Sequence, residues 1–133
     1  DGEVAMTTAY NGRIFGAAVG EGKPFQIVWD GQLYENELYV VPKGAPNKDL
    51  AMDFIKYATS TEGLRAQASH ISYGPPRKSA NVDPIIYTDG KTEMGPHLPT
   101  NPANMTNSLL TSSDFWVDHD AELNERFQAW LSQ

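Results

Sequence analysis

Residues Leu38 to Gly63 read LYVVPKGAPNKDLAMDFIKYATSTEG, an extended apolar run that meets a proline and then turns into a helix. Leu38-Tyr39-Val40-Val41 is rich in β-branched and aromatic side chains, which suit a pleated backbone, and Pro42 ends it because proline offers no N–H to a ladder. Asn47 is a good helix N-cap. Behind it Leu50, Ala51, Phe54, Ile55 and Ala58 fall at i, i+1, i+4, i+5 and i+8, which predicts one apolar stripe. Ser60 or Thr61 caps a second helix with Leu64, Ala68 and Ile71 on one face, and Tyr73-Gly74-Pro75-Pro76 stops it. The short link between the two predicts an antiparallel helix pair.

Upstream, Glu3 to Tyr10 (EVAMTTAY) reads as a buried strand running into an Asn11-Gly12 turn. A short helix follows with Ile14, Phe15 and Ala18 on one face, ended by Gly20-Glu21-Gly22-Lys23-Pro24. Phe25 to Trp29 reads as a second strand closed by Asp30-Gly31, and Leu33 leads towards the extended run. Downstream, the Pro, Gly, Asn and Asp content from Arg77 to Pro102 predicts mostly loop and short turns. Asn101-Pro102 has the order of a helix start, with Met105 and Leu109 on one face. A last helix beginning near Asp118 or Asp120 is expected to bury Leu123, Phe127, Trp130 and Leu131. The class is α/β, but three strands and four helices without regular alternation do not complete a Rossmann-like domain. Further residues upstream are therefore expected.

The 133 residues carry a net charge of −7 with scattered Lys and Arg, which argues against nucleic acid, since backbone binding needs a basic patch. An acidic field does suit a cationic ligand. No apolar run approaches the roughly 18 residues of a membrane span. The absence of cysteine excludes disulfides, thiolate metal sites and cysteine nucleophiles. His70, His97 and His119 are widely spaced, without an i, i+4 or HExxH arrangement, and no metal or cofactor is expected. Asp1-Gly2-Glu3 has neither the basic nor the apolar region of a signal peptide, so a cut start is expected.

The order AYNGR, IVWDG, LYVVPKGAPNKDLAMDFIKYATSTEG, SYGPP, DFW and a closing amphipathic helix resembles the C-terminal segment of the spermidine/putrescine-type periplasmic binding proteins. Its most specific pieces are Val40 to Lys48 (VVPKGAPNK) and Tyr10-Asn11-Gly12. The resemblance implies a type II periplasmic binding protein-like α/β fold with two lobes and the ligand in the cleft between them. It implies residues 1–36 in the second lobe, 37–72 returning to the first lobe, and 73–133 back in the second, a C-terminal fragment with parts of both lobes. It further implies a periplasmic location, an ABC-transporter permease as partner, and a missing N-terminal portion. Without that portion, uncovered apolar faces and poor ligand binding are expected.

A small amine needs carboxylates for charge-assisted hydrogen bonds and aromatic faces for its methylene chain and ammonium. In the resemblance Tyr10 falls at a ligand-stacking tryptophan, Glu37 at an ammonium-binding aspartate, and Tyr73 at a cleft tyrosine. Glu35 stands where the family has a second tryptophan, exchanging a stacking face for a charge, and the family's amine-binding glutamine has no match around Trp116-Val117. The ligand implied is an amine such as putrescine or spermidine. Arg13, if it faces the cleft, pairs with a carboxylate and favours a zwitterionic ω-amino acid such as 4-aminobutyrate. A hydrolase using Glu35 and Glu37 as acid and base is a weaker reading. Residues i and i+2 of a strand stand side by side, roughly 7 Å apart, and do not flank a bond.

Overall fold

The computed structural model describes residues 3–133; the first two residues, and with them the start of the 1–36 segment, lie outside the described residues. Helix α1 spans Asn11–Phe15 and runs directly into a π-helical turn, Gly16–Gly20, closed by the Glu21 N–H donating to the Gly16 carbonyl at 3.1 Å. Strand β1 is Gln32–Tyr34; α2 spans Lys48–Ala58 and α3 Thr61–Ala68. Two 3₁₀ turns, Lys78–Asn81 and Gly95–His97, break the following loop region, and strand β2 (Ser108–Leu110) leads to α4, Ser113–Leu131. β1 and β2 pair in parallel with Gln32 opposite Ser108 and Tyr34 opposite Leu110.

The helix pair follows the local signals in position, although α3 ends at Ala68, before Ile71 and the Tyr73-Gly74-Pro75-Pro76 stop, and Asn47 occupies the α2 N-cap position without a side-chain cap hydrogen bond. The Ser60 hydroxyl accepts from the Gly63 N–H at 3.0 Å, so the α3 cap is Ser60. Gly63 tolerates no Cβ, which would collide with the Tyr57 carbonyl at the end of α2. Arg77 donates through Nε to the Thr59 carbonyl at 2.9 Å, covering a carbonyl at the α2 C-terminus.

The core lies only in part where the periodicity predicts: Phe15, Leu64 and Ala68 are buried as expected, but most of the rest comes from the loop-rich region. Phe15, Ala68, Ile85, Met94 and Leu98 form one buried cluster, with Val19 and Tyr87 packed against it. The Tyr87 ring meets Phe15 edge-on with centroids 5.0 Å apart. Three of the five cluster members come from the loop-rich region, where amides replace regular structure as the staple. Asn101 donates to the Gly95 carbonyl at 2.8 Å, and Asn104 donates to the Pro96 and Leu98 carbonyls at 3.1 and 2.8 Å. Arg65 on α3 donates to the carbonyls of Ala80, Asp83 and Pro84, each at 2.9 Å, and so ties that loop to the helix pair.

Several sequence expectations change. Glu3 to Tyr10 is irregular and exposed, and Phe25 to Trp29 and Leu38 to Val41 carry no ladder, because among the described residues no strand supplies the facing N–H and C=O groups. The helix expected after Asn101-Pro102 stops after about one turn. The Asn104 carbonyl, which the next turn would need, accepts from Gln32 Nε2 at 2.7 Å, and the Asn107 carbonyl accepts from the Gly31 N–H at 2.9 Å. The last helix begins earlier than Asp118, where Ser112 accepts from the Phe115 N–H at 3.2 Å and Asp114 sits in the first turn. Finally, the apolar stripes of α2 and α4 stay uncovered: Leu50, Phe54, Phe127, Trp130 and Leu131 are all exposed. Amphipathic spacing states which face avoids water, and the covering surface must come from another segment.

Candidate functional site

Tyr10 stands at the N-cap position of α1 with extended backbone, and its carbonyl accepts the Arg13 N–H at 3.0 Å. It is 63% exposed, so it is not a core aromatic. Arg13 follows on the same short helix, exposed, and among the described residues it forms no ion pair. Tyr73 is half-buried, beyond the end of α3.

Two contacts bring the Tyr10 and Tyr73 segments together across more than sixty residues. Asn11 Nδ2 donates both to the Ser72 carbonyl and to the Ser72 hydroxyl, the latter at 3.1 Å, and Ser72 is fully buried. Gly12 packs so closely that an added Cβ would lie 2.9 Å from a ring carbon of Tyr73 and 2.9 Å from Ile71. Tyr10, Arg13 and Tyr73 therefore belong to one locality built by the start of α1 and the Ser72-Tyr73 step. The sequence marked Asn11 and Gly12 as a turn; they are the joint between the two tyrosine segments.

Glu35 and Glu37 lie in the irregular segment just after β1. Both are exposed, and among the described residues neither makes an ion pair. The Thr111 N–H donates to the Tyr34 carbonyl at 2.8 Å, which ties the chain immediately before Glu35 to the segment leading into α4. No hydrogen bond among the described residues links these carboxylates to Tyr10 or Tyr73, so they are a pair of accessible anions rather than part of the tyrosine joint.

A separate apolar cavity of about 210 Å³ lies between α1, the π-turn and the Phe25 to Trp29 segment, lined by Ile14, Ala18, Phe25, Ile27, Trp29 and His97 among others. It includes none of the five sequence-predicted site residues. Phe15 and His97 stack edge-on there at 5.0 Å. The stretch expected as a second strand is thus one wall of an apolar recess.

The described residues thus present an exposed Tyr10 joined to a half-buried Tyr73, an exposed Arg13 beside them and, on a different segment, two exposed carboxylates. Residues 1–100 match the family model of the bacterial extracellular solute-binding proteins. The chain belongs to that family. Over 132 residues, 99% of its length, this solute-binding family member is 42% identical to the "Gamma-aminobutyric acid-binding protein" of Pseudomonas aeruginosa. It spans 36% of that relative's length. The solute-binding resemblance of the sequence holds at the level of the family, while its spermidine/putrescine branch gains no support from a relative named for γ-aminobutyric acid.

Proposed function

We propose that this chain supplies part of the ligand cleft of a periplasmic solute-binding protein that captures a small zwitterionic ω-amino acid, of the 4-aminobutyrate kind, for an ABC importer. The observation that carries the reading is the 42% identity over nearly the whole chain to a protein named for γ-aminobutyric acid. The site chemistry agrees with it. An ω-amino acid presents an ammonium, a short methylene chain and a carboxylate, which call for an anion, an aromatic face and a cation. Glu35 and Glu37 offer the first, Tyr10 and Tyr73 the second, and Arg13 the third. A diamine has no use for Arg13, whose charge would repel one of its ends.

In this reading residues 1–36 and 73–133 contribute to one lobe and 37–72 return to the other, with the remaining cleft wall supplied by further chain. Ala68 shares its core with Phe15 and Met94, so α3 is where the returning segment would meet the other two. The exposed stripes of α2 and α4 would be covered by that further chain. The protein performs no chemistry: it closes on its ligand and presents it to a permease.

Calorimetry on the full-length protein with 4-aminobutyrate, 5-aminopentanoate, putrescine and spermidine tests this. The ω-amino acids are expected to bind and the diamines to bind weakly or not at all. Arg13→Gln should weaken 4-aminobutyrate by about tenfold to a hundredfold, the scale of a lost charge-assisted pair, and leave putrescine unchanged or tighter. Putrescine binding more tightly than 4-aminobutyrate would return the polyamine reading, and silence from all four would remove both.

A further inference from the structure

We propose that Asn11 and Gly12 are positioning residues for the ligand-binding wall: together they clamp the Ser72-Tyr73 peptide and the Tyr73 ring, so that Tyr73 is held in place before ligand arrives. The clamp deepens the function proposed above and rests on that reading for its effect on affinity.

The peptide unit joining Ser72 to Tyr73 is held at both ends. Its carbonyl accepts from Asn11 Nδ2, and its N–H donates to the Ile71 carbonyl at 2.8 Å. With both groups engaged the peptide plane cannot rotate without breaking a hydrogen bond, and that plane sets where the Tyr73 side chain leaves the backbone. The second Asn11 bond, to the Ser72 hydroxyl, lies against a residue with no exposed surface. Losing it leaves a buried hydroxyl without its partner. Gly12 then closes the remaining freedom, because its bare Cα lets the Tyr73 ring and Ile71 come against the first turn of α1. Asn11 directly follows Tyr10, whose carbonyl is engaged by the Arg13 N–H, so the same clamp ties the Tyr10 backbone to the Tyr73 segment. A wall ordered in advance spares the ligand the entropy of ordering it, which is how such residues raise affinity without touching ligand.

The test uses the full-length protein labelled with 3-fluorotyrosine, its six tyrosines in this region assigned by single Tyr→Phe changes. Asn11→Ala, Asn11→Asp and Gly12→Ala are compared with wild type, without ligand and with 4-aminobutyrate. Asn11→Asp keeps the shape and removes the donor, so it separates hydrogen bonding from packing. In each variant the Tyr73 fluorine resonance is expected to move or broaden in the ligand-free protein, while that of Tyr87, packed on Phe15 in the core, stays in place. Affinity for 4-aminobutyrate is expected to fall about tenfold, the scale of one or two lost hydrogen bonds. An unmoved Tyr73 resonance in Asn11→Asp, or equal movement of Tyr73 and Tyr87, overturns the clamp. Wild-type affinity in all three variants overturns its role in binding. A wild-type protein that ignores 4-aminobutyrate would instead defeat the functional reading, and the ligand-free spectra would still decide the clamp.

Discussion

Removal of the Arg65 guanidinium should loosen the joint between α3 and the loop that supplies much of the core. Arg65 is half-buried and donates to three carbonyls at 2.9 Å, those of Ala80, Asp83 and Pro84. The three are not equal. The bond to Ala80 is partly buried, so in Arg65→Ala that carbonyl loses its partner where water reaches it poorly, at about 1–3 kcal/mol. The bonds to Asp83 and Pro84 are exposed, and water replaces the guanidinium there for a net loss of roughly 0.5 kcal/mol each. The sum is about 2–4 kcal/mol for Arg65→Ala. Lysine reaches one carbonyl at a time with a point charge instead of a fork, so Arg65→Lys should restore only part of it. Urea denaturation of the full-length protein reads the change as a shift in midpoint at constant slope. Hydrogen exchange should show the Ala80 and Met94 amides, which donate to Arg77 and Ile85, losing protection ahead of α2. A cost under about 0.5 kcal/mol for Arg65→Ala, or full rescue by Lys, would refute the reasoning.

Met94 is fully buried in the central cluster, so Met94→Ala should cost about 2–5 kcal/mol in the same denaturation experiment, and Met94→Leu, nearly equal in volume, under about 1.5. The Asp89 carboxyl is held below its ordinary range first by the Thr92 hydroxyl, then by the N–H groups of Thr92 and Lys91. Because its folded value is depressed, the turn gains stability from Asp89 above the ordinary carboxylate value and loses it as pH falls through the folded one. In a carbon-detected NMR titration Thr92→Val should raise the Asp89 midpoint towards that of a free aspartate; an unmoved midpoint would show that the backbone N–H groups alone set it.

The family was legible because its signals are local. Pro42, Asn47 and the spacing from Leu50 to Ala58 specify a break, a cap and a stripe within a few residues of each other, and α2 and α3 form where those signals place them. The tyrosines and carboxylates were legible as residue types suited to an amine. Arg13 was legible only on the condition that it faces the cleft, because chemistry at one position does not say which surface it faces. Asn11 and Gly12 carry the local signal of a turn, and their partners Ser72 and Tyr73 lie about sixty residues on, beyond any local pattern.

What the sequence by itself determined is the helix pair, the punctuation by Pro, Gly and Asn, and the set of groups available to a ligand. These follow from backbone sterics, capping and side-chain chemistry, all properties of short stretches. Only the tertiary structure decided which apolar residues are buried: Met94, Ile85 and Leu98 in a loop region are covered, and the regular stripe of α4 is not. It also decided that the chain after Asn101 turns and then enters β2 at Ser108, since Gln32 and Gly31 take the carbonyls a longer helix would have used. Burial and hydrogen-bond partnership are relations between distant segments, and a period along the chain records one side of such a relation without naming the other.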